Sequence, residues 1–178
     1  MLKFIVIAIV VLGIAVTGFL SYAARKPDSF EVRRVVDIKA PPERIFPCIN
    51  RLGAWSDWSA YETKDPDMER IFSGPPSGPG AVYEWEGDSN VGAGRMEILS
   101  AEPNRRVSIR LNFLRPFEAE NMAEFTLEPM GETTRVTWVM TGPAPLLTKV
   151  MDTLFNMDRM IGADFEAGLA NLKNIAEG

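Results

Sequence analysis

The chain predicts an α+β fold: a seven-stranded antiparallel sheet wrapped around one long C-terminal helix, preceded by a transmembrane helix. Three observations predict it. Residues Phe4 to Ala24 run twenty-one positions without a charge. From Ala81 to Thr141 apolar and polar residues alternate with period two, as in antiparallel strands with one dry and one wet face. After Pro145 the period becomes 3.6 and the apolar residues gather on one helical stripe.

The uncharged run begins after Met1-Leu2-Lys3 and stops at Arg25-Lys26-Pro27. At about 1.5 Å per residue it is long enough to cross a hydrocarbon layer roughly 30 Å thick. Pro27 lacks a backbone donor and ends the helix. Residues 1–27 are therefore read as a single-pass membrane anchor. The competing reading is a secretory signal, since Ser21-Tyr22-Ala23 supplies small residues at its end. Against cleavage, the apolar stretch is long for a signal, and Arg25-Lys26 directly after it hinders export. The excess of positive charge after the span favours a cytoplasmic domain, yet short single anchors often export the domain attached to them, so the side of the membrane stays open.

Residues 28–178 form one domain, large enough to bury a core. All 24 acidic residues of the chain lie here, and the domain carries a net charge of −8. Such a domain lacks the basic footprint of a nucleic-acid binder and is repelled by an anionic lipid surface. The single cysteine, Cys48, excludes an internal disulfide. Histidine is absent, which removes the commonest general base and the commonest zinc ligand. No serine or cysteine can have a histidine partner, so the usual nucleophilic triads are excluded. Gly92-Ala93-Gly94 lacks the third glycine and following helix of a dinucleotide site, and Asp65-Pro66-Asp67 is too short for a calcium loop. No metal site and no cofactor are called for.

Phe30 to Ile38 reads as the first strand, ended by Pro41-Pro42. A short helix opens at Pro42, where proline is tolerated in the first turn, and Pro47 limits or bends it. Leu52 to Asp67 reads as a short helix and loop carrying Trp55, Trp58 and Tyr61. Gly74 to Gly80, with three prolines, makes a turn. In the alternating region Tyr83 and Trp85 share a face, as do Val107, Ile109, Leu111 and Phe113; Phe125 and Leu127; and Val136, Trp138 and Met140. Gly87 to Asn90, Pro103-Asn104 and Gly131-Glu132 supply turns. The final stripe, Leu147 through Phe165 to Ile175, predicts one helix of about thirty residues with a single buried face, too amphipathic to cross a membrane. A sheet with one dry face needs a cover, and only this helix is long enough. A curved sheet gripping a helix leaves a cavity between them, the natural ligand site.

This order of elements, together with Asp37-Ile38-Lys39-Ala40-Pro41-Pro42-Glu43-Arg44-Ile45-Phe46, resembles the helix-grip superfamily, which includes START lipid-transfer domains, birch-pollen-allergen-like proteins and polyketide cyclases/dehydrases. The chain is most similar to the bacterial SRPBCC branch labelled polyketide cyclase/dehydrase, whose members often carry an N-terminal anchor. The likeness rests on Trp55-Ser56-Asp57-Trp58-Ser59, Tyr83-Glu84-Trp85-Glu86-Gly87, Gly94-Arg95-Met96-Glu97-Ile98, Arg115-Pro116-Phe117-Glu118-Ala119, Phe125-Thr126-Leu127-Glu128-Pro129 and Asp164-Phe165-Glu166, and on Gly168 to Lys173. It covers roughly residues 30 to 177. It implies a domain that handles hydrophobic small molecules, and a bacterial inner-membrane location. It brings no shared catalytic motif to these positions.

Tyr83, Trp85, Asn121, Trp138, Asp158, Gly162 and Phe165 are the candidates for the cavity. Asp158 falls in the apolar stripe, either as a carboxylate facing the cavity or displaced by helix drift to reach solvent or an arginine. Gly162 leaves room for a ligand or for close packing on the sheet. Asn121 is in register with Phe125 on the dry face, where a buried amide needs partners. Tyr83 and Trp85 suit a pocket wall or plain core packing. Trp55 and Trp58 suit the cavity mouth, the membrane interface, or packing over the sheet edge.

Three functions arise as expectations. The first is a membrane-tethered module holding a lipid or other apolar molecule, favoured by an open dry cavity. The second is a cyclase-type enzyme, favoured by a cavity with a polar end at Asp158, with Tyr83 or Asn121 as further acid/base or polar groups. The third is a protein-interaction role like the helix-grip activators of the Hsp90 system, favoured by a cavity filled by Trp85, Trp138 and Phe165.

Overall fold

The computed structural model describes all of residues 1–178. Helix α1 spans Leu2–Ala24 and is followed by strand β1, Ser29–Ile38, and helix α2, Pro42–Asn50. Pro42 occupies the first turn of α2 and Pro47 lies inside it, so one backbone donor is missing from a helix of only nine residues. Two short 3₁₀ turns, Leu52–Asp57 and Ala60–Thr63, lead to β2 (Glu69–Ser73), β3 (Val82–Glu86), β4 (Ala93–Glu102), β5 (Arg106–Arg115), β6 (Ala119–Met130) and β7 (Thr133–Pro143). Helices α3 (Leu146–Phe155) and α4 (Met157–Glu177) complete the chain.

The seven strands form one sheet in the order β1-β7-β6-β5-β4-β3-β2, antiparallel throughout. Every neighbour from β2 to β7 is also the next strand in sequence; only β1 joins from the far end, paired to β7. Register shifts in β4 between Ala93 and Gly94 and between Ile98 and Ser100 break the ladder with β5 and bend the sheet. Its concave face is dry: Val32, Ile98, Val107, Ile109, Phe125, Leu127, Val136 and Trp138 are all buried. Helix α4 crosses that face, burying Phe165, Leu169 and Leu172.

Polar ties fasten α4 along β1. Arg34 donates from Nε to Glu166 Oε1 at 2.6 Å and from its two terminal nitrogens to the Asp158 carboxylate at 3.1 and 3.2 Å. Lys173 reaches the Asp37 carbonyl at 2.6 Å, and the Lys39 amide donates to Glu177 at 2.7 Å.

The single helix expected after Pro145 is in fact two. Asn156 separates them with φ +50° and ψ +77°, a left-handed conformation that asparagine tolerates better than most residues. Its side chain then caps α4 by accepting from the Arg159 amide at 3.0 Å, and Asp152 accepts from the Met157 amide at 3.0 Å. Apolar periodicity does not reveal the break, because the stripe resumes on α4 and Asn156 sits on its polar side. Asn156→Ala should destabilise the domain by about 1–2 kcal/mol through loss of the cap and strain at positive φ. Asn156→Gly, free of the strain, should recover most of that in urea denaturation.

Candidate functional site

Between the sheet and the two C-terminal helices lies a cavity of about 400 Å³, within the size range of small-molecule sites. Hydrophobic side chains account for 23 of its 33 lining residues, so the space suits largely apolar groups. Strands β3 to β7 build the floor with Tyr83, Met96, Ile109, Leu111, Ala123 and Met140, while Leu147, Met151 and Phe155 of α3 and Ile161 of α4 form the roof. Six of the nine methionines of the chain are in the wall. Unbranched, polarisable side chains adapt their shape to a ligand more readily than branched ones do.

One end of the cavity is closed by an aromatic cluster. Trp138 stacks on Phe165 with ring centroids 3.7 Å apart and planes within 5°, and on Phe125 at 4.7 Å. Trp55 and Trp58 pack against the same rings at 5.7 to 6.0 Å. Their indole nitrogens donate to the Ile49 and Cys48 carbonyls, both at 3.0 Å. Trp55 and Trp58 are thus core residues seated over α2, not at a membrane interface.

Tyr83, Trp85, Asn121, Trp138 and Phe165 line the cavity; Asp158 and Gly162 do not. Asp158 is mostly exposed and serves the Arg34 ion pair. The reason is the break at Asn156, which makes it the second residue of α4 and turns it outward, toward β1. Gly162 is buried, but a Cβ there would overlap the Arg34 guanidinium, so the space belongs to that arginine. Trp85 donates to the Val91 carbonyl at 3.1 Å and its ring lies on Gly94, which makes it a fixed piece of wall.

Two polar atoms in the wall have no partner: Asn121 Oδ1 and Trp138 Nε1, in residues 5% and 4% exposed. Buried polar atoms left unpaired cost on the order of 1–3 kcal/mol each. The Asn121 amide lies against Gly142, where a Cβ would collide with Oδ1; glycine at 142 is what admits the amide. Trp138 is directly opposite Phe125 in the ladder, four residues along β6 from Asn121. At about 3.4 Å per residue the two backbone positions are roughly 14 Å apart. An apolar trough therefore has one polar group near its closed end and another farther along.

Sequence reasoning missed Glu62. It lies in a 3₁₀ turn and reads as a surface acid, yet its side chain is 7% exposed and it is the only acidic residue in the cavity wall. Arg70 Nε donates to Oε2 at 2.8 Å, and Tyr83 Oη donates to Oε1 at 2.8 Å. Only the fold brings these three together, because β2 and β3 pair and the turn folds back over them. Burial, then the hydrogen bond to Glu62, push the Tyr83 phenol above the usual tyrosine range. Burial does the same to Tyr61.

A one-layer antiparallel sheet closed over a long helix, with an apolar cavity between them, defines a helix-grip domain. Residues 29–177 match the family described as polyketide cyclase/dehydrase and lipid transport, and the chain belongs to that family. No curated protein sequence matches it. Among solved structures, protein CV1439 from Chromobacterium violaceum superposes with a TM-score of 0.59 at 16% identity, over 86% of this chain and 99% of that one. The Aha1 dimer from Colwellia psychrerythraea gives 0.57 at 18% identity, over 83% and 96%. DynU16, from the dynemicin biosynthetic locus, gives 0.57 at 20% identity, over 84% of this chain and 47% of its own. At these identities the likeness is one of fold.

The Tyr83–Glu62 pair has a pH signature. The folded state holds the phenolic proton at pH values where the unfolded chain has released it. The stability this group contributes is therefore full below about pH 10 and declines as pH rises beyond it. Tyr83→Phe should cost about 1–3 kcal/mol at pH 7 by leaving Glu62 short of a donor. It should also flatten the alkaline loss of stability measured by urea melts above pH 10, with Tyr61 supplying the residual slope.

Proposed function

We propose that this chain is a membrane-tethered binding domain that holds a lipid or other hydrophobic molecule between its sheet and its C-terminal helices. The observation that carries this is the cavity itself, about 400 Å³ and walled mainly by apolar side chains. The protein-interaction reading needs that space filled by Trp85, Trp138 and Phe165. Trp138 and Phe165 do stack into the core, yet the space beside them stays open. The tether rests on α1, a helix of 23 residues whose one charge, Lys3, lies at its start, with mean hydropathy 2.7 and no burial in the domain over its apolar window. A signal sequence has the same outline.

A catalytic reading is supported by one feature, the Glu62–Tyr83 pair in the wall, backed by Arg70 behind it. Its carboxylate receives two donors; with its proton committed to Glu62, the Tyr83 oxygen can accept a hydrogen bond from a ligand hydroxyl. A cyclisation in such a site draws chiefly on confinement of a flexible substrate.

Native mass spectrometry of the full-length chain in mild detergent tests the binding reading. A copurifying apolar ligand at one per chain is expected. Ile161→Trp, which adds bulk to the roof, should release it and bring the melting temperature down to that of the delipidated wild-type chain. An apo mass together with no thermal stabilisation by a panel of phospholipids, fatty acids and isoprenoids would overturn the reading. Turnover without retention of any apolar molecule would favour the enzyme.

A further inference from the structure

Antiparallel pairing sorts the connections of the sheet to two poles. At one pole β1 begins, β7 ends, and the β3–β4 and β5–β6 turns lie; at the other are the turns at 103–105 and 131–132. Ten-residue strands separate the poles by about 33 Å. The rim of the cavity belongs to the first pole, where Asn90, Phe117, Pro143, Leu147, Phe155 and Met160 are exposed lining residues.

The end of α1 is clamped to the same pole. Lys26 Nζ donates to Asp152 Oδ2 of α3 at 2.8 Å, and Lys149 Nζ of α3 donates to Asp28 Oδ1 at 2.5 Å. Lys149 is 7% exposed, and Ala23 in the last turn of α1 is fully buried. Two ion pairs cross between the linker and α3, which packs against the end of α1 and the start of α4 rather than on the sheet. Helix α3 is therefore held within about one helix diameter, roughly 10 Å, of the end of the span.

At that height the outer surface exposes a group of large apolar side chains among charged ones such as Glu118 and Arg159. Leu146, Leu147, Leu154 and Phe155 of α3 and Met160 of α4 are at least half exposed, and so are Leu114 and Phe117 of the β5–β6 hairpin. Single exposed apolar residues are ordinary; a group gathered at one pole marks a contact surface. The occupant is set by the clamp, since a surface tied this closely to the end of a membrane span meets the interfacial layer of the bilayer. The net charge of −8 on residues 28–178 excludes attraction to anionic headgroups as the cause, leaving apolar insertion.

We infer that α3 and the β5–β6 turn form a bilayer-docking rim, so that the cavity mouth opens onto the lipid interface and its ligand enters from the leaflet. The inference rests on α1 crossing the membrane. It goes beyond tethering: a tether alone leaves the domain free to turn its mouth to water, and the clamp forbids that.

The test uses the full-length chain with Cys48→Ser in phosphatidylcholine nanodiscs, with and without lipids carrying a nitroxide on the acyl chain. Single cysteines are introduced by Leu12→Cys, Phe117→Cys, Phe155→Cys and Glu132→Cys, and each is labelled with bimane. Quenching at positions 12, 117 and 155, with none at 132 on the far pole, is expected. Adding Phe155→Glu should weaken quenching at 117 while the urea midpoint holds, since Phe155 is exposed. Quenching at 12 without quenching at 117 or 155 would overturn the docking rim while the tether stands. Absence of quenching at 12 would remove the tether and the rim together, and would leave the binding cavity untouched.

Discussion

The structure depends on one contact, the stack of Trp138 on Phe165. A single sheet has a concave face to cover and only one long helix to cover it. These two rings, 3.7 Å apart and nearly parallel, join the middle of the sheet to the middle of α4. A pair of this kind is worth about 0.5–1.5 kcal/mol beyond the area it buries, and here it is part of a larger cluster. Phe125, Trp55 and Trp58 gather around it, and the indole nitrogens of the last two tie the cluster to the end of α2. The fold is closed where these aromatics meet.

That closure explains why the other end is open. The rings hold α4 and the sheet apart, and beyond them the lining mixes small and flexible residues, Ala119, Ala123, Met140 and Met151, with aromatic ones at the rim. Helix α3 does not drop into the gap. The left-handed turn at Asn156 redirects the chain, and the ion pairs of Lys26 and Lys149 hold α3 on the linker from α1. The cavity and α1 are therefore mechanically connected through one short helix.

Electrostatics divides the molecule in a consistent way. The acidic residues lie mostly on the wet face and in the turns, where arginines of neighbouring strands pair with several of them. Such exposed pairs contribute little individually. The exception inside the wall is Glu62, and its charge is matched by Arg70 and Tyr83. The lowered pKa of Asp152, caused first by Lys26 and helped by the Met157 amide, keeps the charge that both caps α4 and secures the end of α1.

Much of this was legible in the chain. Alternation in the strands, the turn residues, the uncharged N-terminal run and the C-terminal stripe each have a local physical cause, so strand count, sheet type and the anchor-like helix are set by residues near one another in sequence. Trp138 and Phe165 were readable as inward-facing for the same reason. The tertiary structure alone decided which groups meet across long separations. The partner of Glu62 is Tyr83, twenty-one residues on; the space at Gly162 is taken by Arg34 from the far edge of the sheet; Asp158 faces that arginine and not the cavity because one asparagine takes a left-handed turn. Periodicity places a side chain on a face of its own element, but a charge or an amide is satisfied by whatever the fold brings opposite it, and that depends on every other element at once.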